Sequence, residues 1–304
     1  MSELVEFKTS DNLYLPGLLF EPAQKTDRAA LFLHGNGSAS IFYNVNGVNS
    51  MAQELARRGI AYFPFNNRGA HYIHKLWTEK DGTRTREPYG AAYELIKECL
   101  FDIDGALEFL KQRGYREFYL LGSSTGANKI CVYNFYKPKN KIAKYVLFSG
   151  GDDTGISYQM MGEKNFYGAL EKCRYEIKKG HGRKLLPKSL TDYLYSYQSF
   201  YDTINPDGDY NVFPFNEYMN HLKLSKKPLF REYKSIKKPT LVVYGGDDEY
   251  CYGKVPEIIG ILKKECSSKK QFTFEIIEKA DHNFNGREAD LAKVIAHWLS
   301  PYAN

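Results

Sequence analysis

A serine with glycines two residues to either side, Gly122-Ser123-Ser124-Thr125-Gly126, lies where an apolar run stops and a helical pattern begins. Phe118 to Leu121 predicts a strand, and Ala127 to Tyr136 predicts a short helix. G-x-S-x-G in that setting puts Ser124 at the tip of a sharp turn, its backbone strained and its hydroxyl pushed toward solvent. The glycines let strand and helix approach without a side chain colliding. A serine hydroxyl is a poor nucleophile at neutral pH. It needs an imidazole to take its proton, and that imidazole needs a carboxylate to fix its tautomer and stabilise its charged form. A glycine-rich loop can match the pentapeptide by chance, so the case rests on the rest of the chain.

This stretch resembles the nucleophile elbow of the α/β-hydrolase superfamily, which implies a serine, then an acid, then a histidine along the chain. Asp248, three residues after Gly245 in Gly245-Gly246-Asp247-Asp248, matches the family's G-x-x-D acid turn. Ala280-Asp281-His282-Asn283-Phe284 resembles its histidine loop. Asp247 is an alternative acid, as are Asp152 and Asp153 after the preceding strand, where some members carry it. The turn His34-Gly35-Asn36-Gly37 is similar to the loop that builds half of the oxyanion hole. Carried over, the backbone N–H groups of Asn36 and Thr125 are the two donors. Asn66-Asn67-Arg68-Gly69 is similar to the Arg-Gly turn of many members.

The resemblance implies a serine hydrolase that cleaves a carboxylic ester of a small molecule through an acyl-enzyme, with no cofactor and no metal. The same three residues would serve a thioesterase, an acyltransferase or a small-peptide hydrolase, and the fold also hosts non-catalytic ligand-binding proteins. Ser123 departs from the family, many members having histidine before the nucleophile. The Ser-Thr-Gly elbow and the helical insertion carry a faint similarity to siderophore-esterase-like hydrolases.

Elements that could position these residues follow in order. Val5 to Thr9 and Leu13 to Phe20 predict an antiparallel edge hairpin around Asp11-Asn12. Ala29 to Leu33, Ile60 to Phe65, Lys144 to Phe148, Pro239 to Tyr244 and Phe272 to Ile277 are apolar runs of the kind found in strands covered on both faces. Helices are expected over about Ile41 to Arg58, Ala91 to Arg113 (ended by Gly114), Val255 to Lys264 and Leu291 to Leu299. The fold class is therefore α/β: a mostly parallel central sheet flanked by helices, with a helical cap insertion. Residues 1–150 and 239–304 are expected to form the core domain, and 151–238 the cap. Two cap helices are read, Met161 to Lys179 and Leu190 to Ile204, the second with a capping box of Ser189 and Asp192.

Ala70 to Gly90 is expected as a long polar loop leaving the carboxyl edge of the sheet, where ligands bind in open α/β folds. Its His71 and His74 have no third metal ligand at suitable spacing. Lys172 to Lys188 carries seven Lys and Arg against one Glu, which reads as a solvated face, with recognition of an acidic or aromatic (phenolic-acid) substrate as the sharper alternative.

Bulk properties bound the rest. The 304 residues are 43% hydrophobic and 26% charged, ordinary for a globular protein, and a formal charge of +6 is too mild to suggest nucleic acid. No run approaches the roughly 18 apolar residues that span a bilayer, so no membrane is expected. Met1 to Glu6 is acidic and alternating, unlike a signal peptide. Five cysteines without a C-x-x-C pair argue for a reducing, cytoplasmic setting.

Overall fold

The computed structural model describes residues 2–191 and 193–300. In chain order the strands are β1 (Ser2–Lys8), β2 (Tyr14–Phe20), β3 (Arg28–Leu33), β4 (Ala61–Phe65), β5 (His74–Lys80), β6 (Thr83–Tyr89), β7 (Glu117–Ser123), β8 (Ile142–Phe148), β9 (Thr240–Gly245) and β10 (Phe272–Ile277). The helices are α1 (Val45–Arg57), α2 (Cys99–Gln112), α3 (Thr125–Tyr136), α4 (Asp153–Met161), α5 (Glu163–Lys178), α6 (Tyr197–Ile204), α7 (Phe215–Met219), α8 (Arg231–Lys234), α9 (Val255–Glu265) and α10 (Glu288–Leu299).

Eight strands form one sheet in the order β1-β2-β4-β3-β7-β8-β9-β10. From β4 to β10 all pairs are parallel, while β1 and β2 are antiparallel on one edge. The central strands are buried on both faces, which is why they read as unbroken apolar runs. On one face α1 and α10 press Val48, Leu55, Ile295 and Leu299 against Ala30, Leu121 and Val243. On the other, α2, α3 and α9 press Ile103, Ile130 and Ile258 against Leu31, Phe63 and Val242.

The chain turns outward to β4 after β3 and to the opposite side with β7, so the strand order reverses between β3 and β7. Open α/β sheets form a crevice at the carboxyl ends of such a switch point. Leu33 lies beside Gly122 there, which brings the turn after β3 against the turn after β7.

Ala70 to Gly90 is not a plain loop. It forms the separate antiparallel hairpin β5–β6. Asp81-Gly82 supplies the turn, with φ of 48° and 76°, and such an Asp-Gly pair favours two-residue hairpins. Trp77 faces Arg86 with the guanidinium 5.1 Å from its ring, and Tyr14 donates to Glu79 at 2.5 Å, docking the hairpin on β2.

The expected Ala91 to Arg113 helix begins later. Ala91 and Ala92 spend their N–H groups on His71 and Tyr72 carbonyls, and regular α-helix starts at Cys99.

Residues 151–238 hold five helices and no β-strand among the described residues. The first expected helix, Met161 to Lys179, is α5, started by Gly162 at φ 70°, and α4 before it is a helix the sequence reading did not expect. Ser196, not Ser189, caps α6, its Oγ accepting from Ser199 N–H at 3.2 Å. The expected partner Asp192 lies outside the described residues. Phe166, Leu170, Phe200 and Ile204 build a small core of their own, whereas Tyr210, Phe213 and Tyr233 join the core beneath the sheet.

Arg68, in the turn after β4, is buried and holds that turn to α2: its Nε and Nη2 donate to Asp102 Oδ1 at 2.9 and 2.7 Å, and Nη2 also reaches Asp11 at 2.9 Å. Asp102 is fully buried. Removing one partner of a buried pair leaves the other charge uncompensated. Arg68→Leu is expected to lower unfolding free energy by about 3–5 kcal/mol in urea titrations.

Candidate active site

Ser124 follows β7 directly and precedes α3, with φ 54° and ψ −126°. A non-glycine residue keeps positive φ only where its surroundings enforce it. Ser124 N–H donates to Phe148 O at 2.9 Å, Ala127 N–H donates to Ser124 O at 2.8 Å, and Gly126 packs so closely on β3 that a Cβ would lie 2.2 Å from the Leu33 carbonyl oxygen.

The structure brings Ser124, His282 and Asp248 together. Ser124 Oγ lies 2.9 Å from His282 Nε2, and His282 Nδ1 lies 2.9 and 3.0 Å from the two oxygens of Asp248. A buried carboxylate accepts the Nδ1–H, which leaves Nε2 as the acceptor for the serine hydroxyl. Asp248 follows β9 and also accepts from Tyr250 N–H at 3.0 Å. His282 follows β10, and its N–H donates to Glu249 Oε2 at 3.0 Å. The Tyr250 ring meets the imidazole edge-on, 4.6 Å between centroids. Such a line of groups can draw the proton from a hydroxyl as it attacks an electrophile.

The other aspartates go elsewhere. Asp247 is exposed. Asp152 caps α4 and accepts from Gly155 N–H, Asn216 N–H and Tyr252 OH at 2.8, 2.7 and 3.0 Å. Burial nonetheless pushes its pKa up to about 7. Asp153 makes no bond to His282, although its charge is felt there.

Gly35 lies against the serine: a Cβ on it would sit 3.0 Å from Ser124 Cβ and 3.4 Å from Oγ. Asn36 follows, and Thr125 is the first residue of α3, where helix N–H groups have no intrahelical partner. The loop is held by His34, whose Nε2 accepts from Asn67 N–H at 3.1 Å and whose Nδ1 lies 2.8 Å from Gly35 O. Burial pushes His34 down to about 3, so it stays neutral. Sequence reasoning missed what the Asn36 side chain does. Its Nδ2 donates to Tyr210 OH at 2.6 Å and Tyr195 OH at 3.3 Å, tying the 151–238 segment to this loop. Nothing local in the sequence marks either tyrosine.

Beside the turn lies a cavity of about 550 Å³, between the sheet, α1 and α10. Phe32, Met51, Tyr62, Phe148 and Leu291 make its apolar walls, and His34, Gly35 and Ser123 connect it to the nucleophile turn. His71 belongs to another group: Tyr43 OH bonds its Nδ1 at 2.7 Å, and its ring packs 5.1 Å from that of His74. The basic side chains of Lys172 to Lys188 are exposed, with Arg183 bonded to Pro88 O at 2.7 Å and stacked on Tyr93.

The chain is similar in structure to Est1E from Butyrivibrio proteoclasticus with ferulic acid bound, with a TM-score of 0.62, 12% identity, and coverage of 96% of this chain and 97% of that one. Similarity to the esterase Pf2001 of Pyrococcus furiosus has a TM-score of 0.58 at 17% identity, covering 100% and 94%. XC6422 from Xanthomonas campestris, an α/β serine hydrolase without a lid, gives 0.54 at 13% identity over 98% and 93%. At these identities the likeness is one of fold. No curated protein matches the sequence. The profile of a family described as a protein of unknown function, DUF1749, matches residues 94–300.

Gly126 tests how the turn is held. In Gly126→Ala the new methyl must displace β3 backbone rather than a flexible side-chain tip. A loss of about 3 kcal/mol is expected in thermal or urea unfolding, with Leu33 and Ser124 amides the first to gain hydrogen exchange.

Proposed function

The chain belongs to the DUF1749 family and has the α/β-hydrolase fold, and from that premise we propose that it is a serine hydrolase of small-molecule carboxylic esters. The observation that carries the reading is the 2.9 Å contact of Ser124 Oγ with an imidazole whose other nitrogen faces the buried Asp248. Ser124 attacks the ester carbonyl while His282 takes its proton. Asp248 holds His282 in the Nδ1–H form and stabilises the imidazolium. His282 then protonates the leaving alkoxide, and water activated by the same imidazole releases the acyl group. The N–H groups of Asn36 and Thr125 receive the oxyanion, each worth roughly 3–4 kcal/mol in comparable sites. The 151–238 segment is the cover, tied down through Tyr195 and Tyr210 on Asn36. The 550 Å³ cavity supports a site for a largely apolar substituent of the ester, because Phe32, Met51, Tyr62, Phe148 and Leu291 line it beside polar groups such as His34 and Asn283, and Gly35 and Ser123 next to Ser124 are part of its wall. The five free cysteines agree with a reducing compartment.

A fluorophosphonate probe is expected to label the protein, and Ser124→Ala to abolish labelling; labelling that survives the substitution sinks the assignment. Asp248→Asn is expected to lower kcat roughly ten-thousand-fold, through the wrong histidine tautomer. Val48 also lines the cavity. Val48→Trp is expected to shift preference from longer to shorter acyl or alkyl chains by about tenfold in kcat/KM ratio, since each buried methylene contributes about 0.8 kcal/mol.

A further inference from the structure

We propose that Asp153 is a recognition site for a positively charged nitrogen on the substrate, beside the nucleophile, so that the ester cleaved carries an ammonium group. This deepens the hydrolase reading and rests on it for the identity of the reacting bond, but not for the binding of the cation.

The observation is a carboxylate oxygen with no partner on a part-buried side chain. Asp153 stands at the start of α4, just after the carboxyl end of β8, and its Oδ2 is shut off from solvent with no hydrogen-bond partner among the described residues. Its neighbour Asp152 is saturated by two backbone N–H groups and a tyrosine hydroxyl. The loop that carries both is pinned to α3 by Asn128, whose Nδ2 donates to Gly151 O at 2.9 Å and whose Oδ1 accepts from Gly151 N–H at 3.2 Å. Asp153 is therefore set in place by a built loop rather than left on a mobile one.

Its surroundings are those of the active site. Against the burial that raises Asp153, the charge of His282 is the largest favourable one, and Asp153 lies within electrostatic range of the hydroxyls of Tyr195, Tyr210, Tyr250 and Tyr252, which burial raises first of all. Tyr195 and Tyr210 sit on Asn36, Tyr250 sits on His282, and β8, which leads to Asp153, takes the Ser124 N–H through Phe148 O, so the carboxylate stands at the same sheet edge as Ser124. Neither cation within range is free to neutralise it. Lys129 Nζ is bonded to Glu94 Oε1 at 2.6 Å, and His282 is committed to Asp248. A buried charge without a partner costs several kcal/mol. Burial accordingly pushes Asp153 up to about 6, still ionised for the most part at neutral pH. A carboxylate with tyrosines nearby suits an ammonium or quaternary nitrogen, which takes a counter-charge and can stack on aromatic faces. The exposed lysines and arginines of residues 172–188 do not counter this charge, because they face solvent.

Two isosteric pairs test the idea: butyrylcholine against neohexyl butyrate, and the para-nitrophenyl esters of γ-aminobutyrate against pentanoate. In each pair only the charge differs. The wild-type protein is expected to prefer the cationic member of at least one pair by about 10- to 100-fold in kcat/KM, the range of a charge-assisted contact. Asp153→Asn should bring that ratio close to one. The ratio does not depend on how much of the variant is folded, and fluorophosphonate labelling of Ser124 counts the competent fraction. Lowering the pH through about 6 should erode the wild-type ratio as Asp153 takes up a proton. His282, Lys129, Asp152 and the four tyrosines act on both members alike, and Asp153→Asn separates the Asp152 titration from that of Asp153.

No preference in either pair, or a preference that survives Asp153→Asn, overturns the inference. Should no ester be turned over at all, saturation-transfer NMR with choline and neohexanol decides separately. Choline binding that Asp153→Asn removes would uphold the cation site while the hydrolase reading fails, and no choline binding by the wild type would end the inference.

Discussion

The geometry of the candidate site depends on Ser124 being held at φ 54° and ψ −126°. That conformation costs on the order of 1–3 kcal/mol and must be imposed from outside. Three strands impose it together. β7 delivers the residue, β8 takes its N–H through Phe148 O, and β3 lies so near Gly126 that α3 can leave in only one direction. The hydroxyl then projects at the switch point of the sheet, and the turns after β9 and β10 bring Asp248 and His282 to the same edge. A looser turn would leave the carboxylate and imidazole in place with nothing to act on.

The legible part of the sequence was the part set by local pattern and by strand ends. Runs such as Pro239 to Tyr244 are apolar at every position because both faces are covered, and that signal survives without tertiary information. Residues directly after those runs were legible for the same reason, since parallel strands end on one edge. Less was visible where polar side chains make structure. The β5–β6 hairpin has exposed Thr, Lys, Glu and Arg along its length, so it has no apolar face to betray it, and Asp81-Gly82 was its one clear mark. The start of α2 was misjudged because Ala91 and Ala92, good helix formers, are claimed by the carbonyls of His71 and Tyr72. Propensity is a weak prior against a specific long-range bond.

The contacts of Asn36 with the 151–238 segment were not legible at all. Asn36 reaches Tyr195 and Tyr210 across 159 and 174 residues, and no periodicity links such positions. These bonds join the turn after β3 to a segment with its own small core around Phe166 and Phe200. The same amide that sits in the loop beside Ser124 thus anchors that segment.

Four aspartates near the strand ends show how one side-chain type acquires different roles from environment alone. Asp247 points into water and has nothing to do. One residue later Asp248 is buried, and its two oxygens meet an imidazole nitrogen that donates to them. Asp152 is as deeply placed but satisfied by backbone N–H groups, which makes it a structural cap on α4. Asp153 is part-buried, and its Oδ2 is shut off from solvent without a hydrogen-bond partner among the described residues. A fold built only for stability has no reason to keep a charge there, since an apolar residue of similar size would remove the desolvation cost. A cationic group on an incoming molecule would supply the compensation that the protein's own cations, Lys129 and His282, do not give, each being already committed elsewhere.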